Sequence, residues 1–279
     1  MAGSTIGNAP SGENTSPNGT EKIPLSGSQF ATLISIFNSM QWITGLGTWT
    51  YSSDDSPTFV ISTSVDNTGV IGIGYRIKLT QTTAKYFIVT AITSSTITVY
   101  GGTDYTLANA AITSPYYSQV KAPYGFPVDP NKWTVTTSDT GNAAKATPTI
   151  STWYGGALLT PTGASIVIPI GAWYVEYAAT VDMTATLAAA GTVGGRATLS
   201  TANNTESDAS MSKSFATVFP IVTAGVLRVP FNLSPAKKLV LTSKTTYYLN
   251  MYSNVAAITN LGMRGDLFTT VISARSAYL

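Results

Sequence analysis

Apolar and polar residues alternate with period two from Tyr75 to Tyr105, in three short runs split by polar turns. Ile77 and Leu79 alternate with Arg76, Lys78 and Thr80, the pattern of a strand with one buried face. In the second run, Lys85–Ile92, Phe87 and Val89 alternate with Tyr86, Ile88 and Thr90. That run is apolar on both faces, so a central place in the sheet is expected. Ile97 and Val99 alternate with Thr96, Thr98 and Tyr100. Turns fall at Thr82–Ala84 and Thr93–Ser95, and Gly101-Gly102 ends the meander. Thr58–Ser62 and Val70–Ile73 add strands, with a turn signal at Asp66-Asn67-Thr68-Gly69. Residues 49–111 therefore read as a small antiparallel β-barrel-like domain.

The C-terminal half repeats the strand pattern. Candidate strands are Ser165–Ile170, Trp173–Val181, Ala197–Thr201, Lys213–Val222, Val226–Leu233, Lys238–Thr242, Thr246–Tyr252 and Leu267–Ala274. Eight runs with polar turns predict a two-sheet, jelly-roll-like β-sandwich over residues 152–279. Ala185–Gly195 is rich in alanine and glycine and reads as a loop or bulge. Asn203–Asp208 is the most polar and least patterned stretch of this domain and is expected to be an exposed tip, with Asn203-Asn204-Thr205 as a turn. Residues 112–151, with Pro115, Pro123, Pro127 and Pro130, read as an extended, docked linker.

The chain before residue 49 has a different texture. Residues 1–28 are rich in Gly, Ser, Asn, Thr and Pro and are expected to form an extended arm. Within 29–48, Phe30, Leu33, Phe37 and Met40 recur at helical spacing, with Ser28 as a cap. This predicts a short helix over Ser28–Met40, followed by a connector in which Gly45 and Gly47 break the helix and Trp42 and Trp49 anchor it. The whole chain is thus expected to be all-β apart from this one helix.

Two phrases carry a family resemblance. The run from Tyr75 through Tyr100-Gly-Gly-Thr-Asp-Tyr-Thr-Leu-Ala-Asn109, followed by Pro-Tyr-Gly-Phe-Pro-Val-Asp-Pro-Asn-Lys-Trp (Pro123–Trp133), resembles a module of minor structural and tail-fibre-type proteins of tailed bacteriophages. Asn18-Gly19-Thr20-Glu21-Lys22-Ile23-Pro24-Leu25 is similar to a phrase at the start of phage fibre and spike proteins. The resemblance implies a virion protein and brings no catalytic residues with it. It makes Thr20, Glu21, Ile23, Pro24 and Leu25 the expected virion-anchoring residues. Phe30, Leu33, Phe37 and Met40 are the expected packing residues of a homo-oligomer, a trimer in the first instance.

Composition narrows the chemistry. Charged residues make up only 10% of the 279, and Ser, Thr, Gly, Asn and Ala fill the polar positions. That suits β-proteins with neutral surfaces. Net charge is +2 without a basic run, so no nucleic-acid partner is expected, and Lys237-Lys238 reads as a solvated strand edge. Histidine and cysteine are absent, which removes the usual general base, the Ser-His and Cys-His nucleophile pairs, disulfides and the common zinc ligands. Asp54-Asp55 lacks the ligand spacing of a calcium loop and reads as a turn; Asp104, with no partner acid nearby in sequence, reads as a turn cap. No catalytic residue, cofactor or metal is expected. Met1–Ser28 lacks the basic start and apolar core of a secretory leader, and no apolar run approaches a membrane span.

Four functions are weighed at this level. The expectation is a non-enzymatic virion subunit (fibre, tail or neck accessory), made in the bacterial cytoplasm and carried on the particle beside other virion structural proteins. The alternatives are a receptor- or glycan-binding fibre tip, or a capsid decoration or head-fibre protein. Dense aromatics (Tyr105, Tyr116, Tyr117, Tyr124, Phe126 and Trp133) suit either sugar stacking or packing. A glycan depolymerase needs two carboxylates in one cleft.

Overall fold

A computed structural model describes residues 22–24, 30–32, 41–160, 162–187, 191–219, 225–232, 237–255 and 257–279. Every named element among them is a β-strand or a short 3-10 turn. The first two strands, β1 (Lys22–Pro24) and β2 (Phe30–Thr32), form an antiparallel pair that sets Pro24 opposite Phe30. This corrects the expected helix at its start: Phe30–Thr32 takes its backbone partners from Lys22–Pro24. A three-residue ladder offered from nearby competes directly with the costly first turn of a short helix.

Seven strands make the next sheet: β3 (Ile43–Thr44), β4 (Trp49–Asp55), β5 (Thr58–Thr63), β6 (Arg76–Gln81), β7 (Thr83–Ile92), β8 (Thr96–Tyr100) and β9 (Thr113–Ser118). Their order is β3-β9-β6-β7-β8-β5-β4, all antiparallel. The two edge strands, β3 and β4, are joined by only residues 45–48. Laid flat, seven strands would put those edges about 29 Å apart. A four-residue connection reaches about 17 Å, so the sheet has to curl, and Ser64 N–H bonds back to Thr48 O at 3.0 Å. Phe59, Ile61, Ile77, Leu79, Phe87, Val89, Ile97 and Val99 fill the inside, with Trp49 and Leu107.

β7 lies in the middle of this sheet and buries both faces, as its pattern predicts. Its outward Ile88 belongs to a row running across five strands: Ser118, Arg76, Ile88, Tyr100 and Thr58. All five are buried, at 2% exposure or less. What covers them is the second half of the chain.

That half begins inside the expected linker. β9 belongs to the barrel, whereas β10 (Thr134–Asp139) and β11 (Asn142–Ala146) belong to the next sheet, so 112–151 is largely built into the two bodies. Its prolines and Thr/Ser/Ala-rich strands carry too few apolar residues to show a period. The remaining strands are β12 (Trp153–Tyr154), β13 (Ser165–Ile168), β14 (Gly171–Ala185), β15 (Gly191–Ser200), β16 (Ser212–Phe219), β17 (Gly225–Asn232), β18 (Lys237–Leu241), β19 (Thr245–Ser253), β20 (Ile258–Arg264) and β21 (Thr270–Ser276).

The pairings resolve these pieces into a simple plan. The 15-residue β14 is flanked on one side by β18 and β17 end to end, and on the other by β21 and β20 end to end. β10 and β11 lie end to end outside β21 and β20. One sheet therefore consists of four long antiparallel tracks: β10/β11, β21/β20, β14 and β18/β17. The other has four as well: β12/β13, β19, β15 and β16. Numbered along the chain, the tracks run 1-8-3-6 in the first sheet and 2-7-4-5 in the second. This is the eight-stranded jelly roll. Inward side chains of β14 (Trp173, Val175, Tyr177, Ala179, Val181, Met183) meet Val193, Ala197, Leu199, Leu249 and Met251 from the facing sheet. Tyr177 hydroxyl crosses the gap to donate to Ala197 O at 2.9 Å. Burial in that core holds its phenol in the neutral form, with a pKa pushed well above the ordinary value.

Candidate functional site

Barrel and jelly roll meet at an aromatic seam. Tyr100, from the buried outer row of the barrel, packs on Trp173 of β14 (centroids 5.0 Å apart) and on Trp133 (5.9 Å). Trp133 stacks flat on Phe126 at 5.0 Å, and Tyr86 meets Phe126, Trp42 and Tyr105 edge-on or tilted at 5.7–6.1 Å. The indole N–H groups all find carbonyls: Trp133 to Pro127 O, Trp173 to Pro169 O and Trp42 to Tyr124 O, each at 2.8 Å.

Arg76 sits in the same seam. The alternation of β6 predicts it on a solvent face, but it is buried because that face is roofed by the jelly roll and the Pro-rich segment. Its guanidinium donates to Lys121 O (2.8 Å), Gly74 O (2.6 Å) and Tyr278 O (2.9 Å), and lies 4.8 Å over the Phe126 ring. Burial pushes its pKa down to about 10, so it stays charged at neutral pH. Lys121 Nζ donates to Leu279 O at 3.0 Å, and Tyr278 hydroxyl accepts from Ala172 N–H at 3.0 Å, so residues 278–279 are held between both bodies. A further tie runs from Lys244 Nζ to Asp55 Oδ1 (2.8 Å) and Ser56 O (3.0 Å).

Two parts of the first phrase that carries the phage resemblance, Tyr100–Asn109 and Pro123–Trp133, are in contact. Thr103 N–H donates to Lys132 O at 2.9 Å, and Asp104 accepts from Lys132 Nζ and from Thr103 Oγ1. The Lys132 ammonium, then the Thr103 hydroxyl, hold the Asp104 carboxyl below the usual carboxylate range. Gly102 adopts a φ of +65°, and a Cβ there would lie 2.2 Å from Lys132 O. Only glycine lets this turn press so closely on the Pro130–Trp133 3-10 turn.

Of the residues singled out for assembly, Ile23 and Pro24 lie in β1 and Phe30 in β2, and the pairing brings Pro24 and Phe30 together. Thr20, Glu21, Leu25, Leu33, Phe37 and Met40 lie outside the described residues. Asp54 caps the turn before Pro57 by accepting from Ser56 N–H at 2.6 Å, and Asp55 takes the Lys244 ion pair. Among the described residues, no three Asp or Glu side chains gather as a metal site, and no helix is long and apolar enough to cross a membrane.

The Asn203–Asp208 loop is pinned rather than free. Asn250, fully buried on β19, donates to Ala202 O (2.7 Å) and Thr205 O (2.9 Å). Asp208 caps Ser210 N–H and accepts from Lys237 Nζ, which, with Ser210, keeps its carboxyl below the usual range. Asn250→Ala is expected to cost about 1–3 kcal/mol by removing the two bonds that this buried amide makes to the loop carbonyls. It should also make 201–208 the first segment cut in limited proteolysis, and an unchanged cleavage pattern would contradict this anchoring role.

The outer sheet faces carry two hollows of about 390 Å³ each. One lies over β10, β21 and β14, lined by Thr134, Thr136, Tyr174, Glu176, Ser273 and Arg275. There Glu176 accepts from Ser273 Oγ at 3.2 Å. The other lies over β19, β15 and β16, lined by Arg196, Ser214, Ala216, Tyr252 and Asn254. Sequence reasoning placed Tyr252 on an alternating strand but missed this hollow. Its floor falls in Ala185–Gly195, expected as a loop, whereas Gly191–Gly195 is strand β15. Glycines suppress the strand pattern there because they leave no side chain to alternate.

Fold and seam define the class: a two-body antiparallel β-protein, a curled barrel fused to a jelly roll. No protein-family model matches the sequence, and no curated protein does. Among solved structures, the chain is similar to one from the crystal structure of the T13 viral particle of IBDV, at 10% identity and a TM-score of 0.23, over 82% of this chain and 60% of that one. It is also similar to one from infectious bursal disease virus Gx strain, at 12% identity and a TM-score of 0.23, over 83% and 63%. The chain thus spans less than two thirds of either. A likeness of that size carries no argument, and the jelly roll rests on the strand pairings themselves.

Proposed function

We propose that this chain is a structural subunit of a bacteriophage virion, a fibre or a tail or neck accessory protein without enzymatic activity. One observation carries the reading. The phrases Tyr100–Asn109 and Pro123–Trp133, which resemble phage structural proteins, are two halves of one contact, joined through Gly102, Asp104, Lys132, Tyr100 and Trp133. Residues that resemble a family at separate places and meet in space behave as one inherited module. A neutral surface on two β-bodies suits a part that is packed among copies and neighbours.

In this reading Thr20–Leu25 anchors the chain to the particle and Phe30, Leu33, Phe37 and Met40 pack copies together, three to an assembly. Deleting Met1–Leu25 is expected to leave the barrel and jelly roll folded, with no more than the β1–β2 pair lost from the far-UV circular dichroism, and to remove the chain from purified particles. Particles that still contain the truncated chain would refute the anchor. Replacing Phe30 and Phe37 with Ser should lower the solution mass by light scattering from that of a trimer; an unchanged mass would exclude them as packing residues.

A further inference from the structure

We propose that the jelly roll binds a monovalent alkali cation where the Asn203 turn meets Gly155-Gly156, held by Asn250 Oδ1, Asn203 Oδ1 and Asn203 O. Three stretches far apart in the chain come together there: the turn after β12, the loop between β15 and β16, and the middle of β19. A Cβ on Gly155 would fall 1.6 Å from Asn250 Oδ1 and 2.7 Å from Asn203 O, and one on Gly156 would fall 2.4 Å from Asn203 Oδ1. Oxygen atoms thus take the places that side chains at 155 and 156 would need. Asn250 Oδ1 and Asn203 O surround one point and stand no more than about 4.3 Å apart, within the roughly 5 Å that two oxygens on one ion of calcium's size, such as sodium, can span.

These oxygens lack donors. Asn250 is fully buried and spends its Nδ2 on Ala202 O and Thr205 O, which leaves Oδ1 as the end that faces Gly155. Asn250 Oδ1 and Asn203 Oδ1 are both buried atoms with no hydrogen-bond partner among the described residues. No backbone N–H among those residues donates to Asn203 O. An acceptor buried unpaired is costly, and such atoms mark an ordered water or an ion. A water carries two hydrogens and would leave one of the three acceptors unmet. A cation is attracted by all three at once.

The oxygens also select the charge. None of the three is ionised, which suits a single positive charge better than the two of calcium, whose sites draw on carboxylates. The loop's own carboxylates are engaged elsewhere: Glu206 accepts from Ser212 hydroxyl and pairs with Arg196, and Asp208 pairs with Lys237. Asn204 and Thr205 are exposed, so water reaches the outer side of the turn to complete the ion's shell. The ion fastens the Asn203–Asp208 loop to the 155–156 turn, in addition to the bonds from Asn250. This binding property stands apart from where the chain sits in a particle.

The test is cleavage of the full-length chain by a glutamate-specific protease, which cuts this loop after Glu206. It is run in sodium, potassium or choline chloride at equal ionic strength, so that general screening is the same in each. Cleavage at Glu206 is expected to be at least about fivefold slower in sodium or potassium than in choline, since a bound ligand protects by the factor of its saturation. Asn203→Ala should be cut at one rate in all three salts. Crystals soaked in thallous acetate should show an anomalous peak in contact with Asn250 Oδ1 and both Asn203 oxygens. Equal rates for the parent chain in the three salts, an undiminished salt response in Asn203→Ala, or a water without anomalous signal between those oxygens would each overturn the proposal. If Asn203→Ala fails to fold, the thallium peak in the parent chain decides. Failure here leaves the virion reading standing, since that is judged on purified particles.

Discussion

Trp133→Ala is expected to destabilise the protein by about 3–5 kcal/mol, the cost of emptying a fully buried indole site, and to split one unfolding transition into two. Trp133 is 0% exposed, stacks on Phe126, touches Tyr100 and donates to Pro127 O. It belongs to the core cluster that runs from the jelly roll into the seam, while the barrel interior is a separate cluster built around Phe59, Ile77, Phe87 and Val99. Losing the indole removes the contact that makes the two cores unfold together and leaves the barrel's own core intact. Urea titration followed by both far-UV circular dichroism and tryptophan fluorescence checks this, since coincident curves mark a single cooperative unit. Coincident curves in the variant, with a loss below about 1 kcal/mol, would show that the seam adds little to either body.

Arg76→Met carries the second large effect, an expected loss of about 3–5 kcal/mol. Methionine keeps much of the stem's volume but removes every donor. The carbonyls of Gly74, Lys121 and Tyr278 would then lose those donors at a part-buried site. No carboxylate faces this guanidinium in its three bonds, so nothing is left charged and alone by the change. The cost comes from the orphaned carbonyls and from the lost contact over Phe126. Arg76→Lys should recover only part of it, because a point-like ammonium cannot span three carbonyls set around a planar fork. Full recovery by lysine, measured in the same urea titration, would mean that charge matters here and geometry does not.

How much of this was readable beforehand depends on which face of each strand was counted. Phe87 and Val89 against Ile88 announced a strand buried on both sides, and β7 is that strand. Trp173, Val175 and Tyr177 announced β14, although β14 begins two residues earlier and runs four residues past Val181. β20 went unread because Ile258–Arg264 holds Asn260 and Gly262 at positions where a strand usually displays its apolar repeat. The same physics hid the hollow beside Gly195, since glycines leave no mark on an alternation. Arg76 was misplaced for another reason. A lone strand shows which side chains share a face, but whether that face meets water depends on a second body more than 50 residues away in sequence. The helix expected over Ser28–Met40 fails at Phe30–Thr32, because spacing alone does not weigh a competing strand partner such as Lys22–Pro24; Leu33–Met40 lies outside the described residues.

The track order of the jelly roll also sets a timetable for synthesis. The barrel's last strand, β9, is complete when Ser118 has been made, so the barrel can close early. The track β10/β11 has to wait for β20 and β21, which end at Ser276. At 5–20 residues per second, the roughly 160 residues between Ser118 and Ser276 take about 8–30 s to appear. Through that interval the finished barrel displays Ile88 and the Trp173-facing side of Tyr100 without their jelly-roll cover, on a nascent chain attached to its ribosome. Crowded polysomes would then bring several such bare faces close together, which makes this the stage at which the growing chain most needs a chaperone's cover.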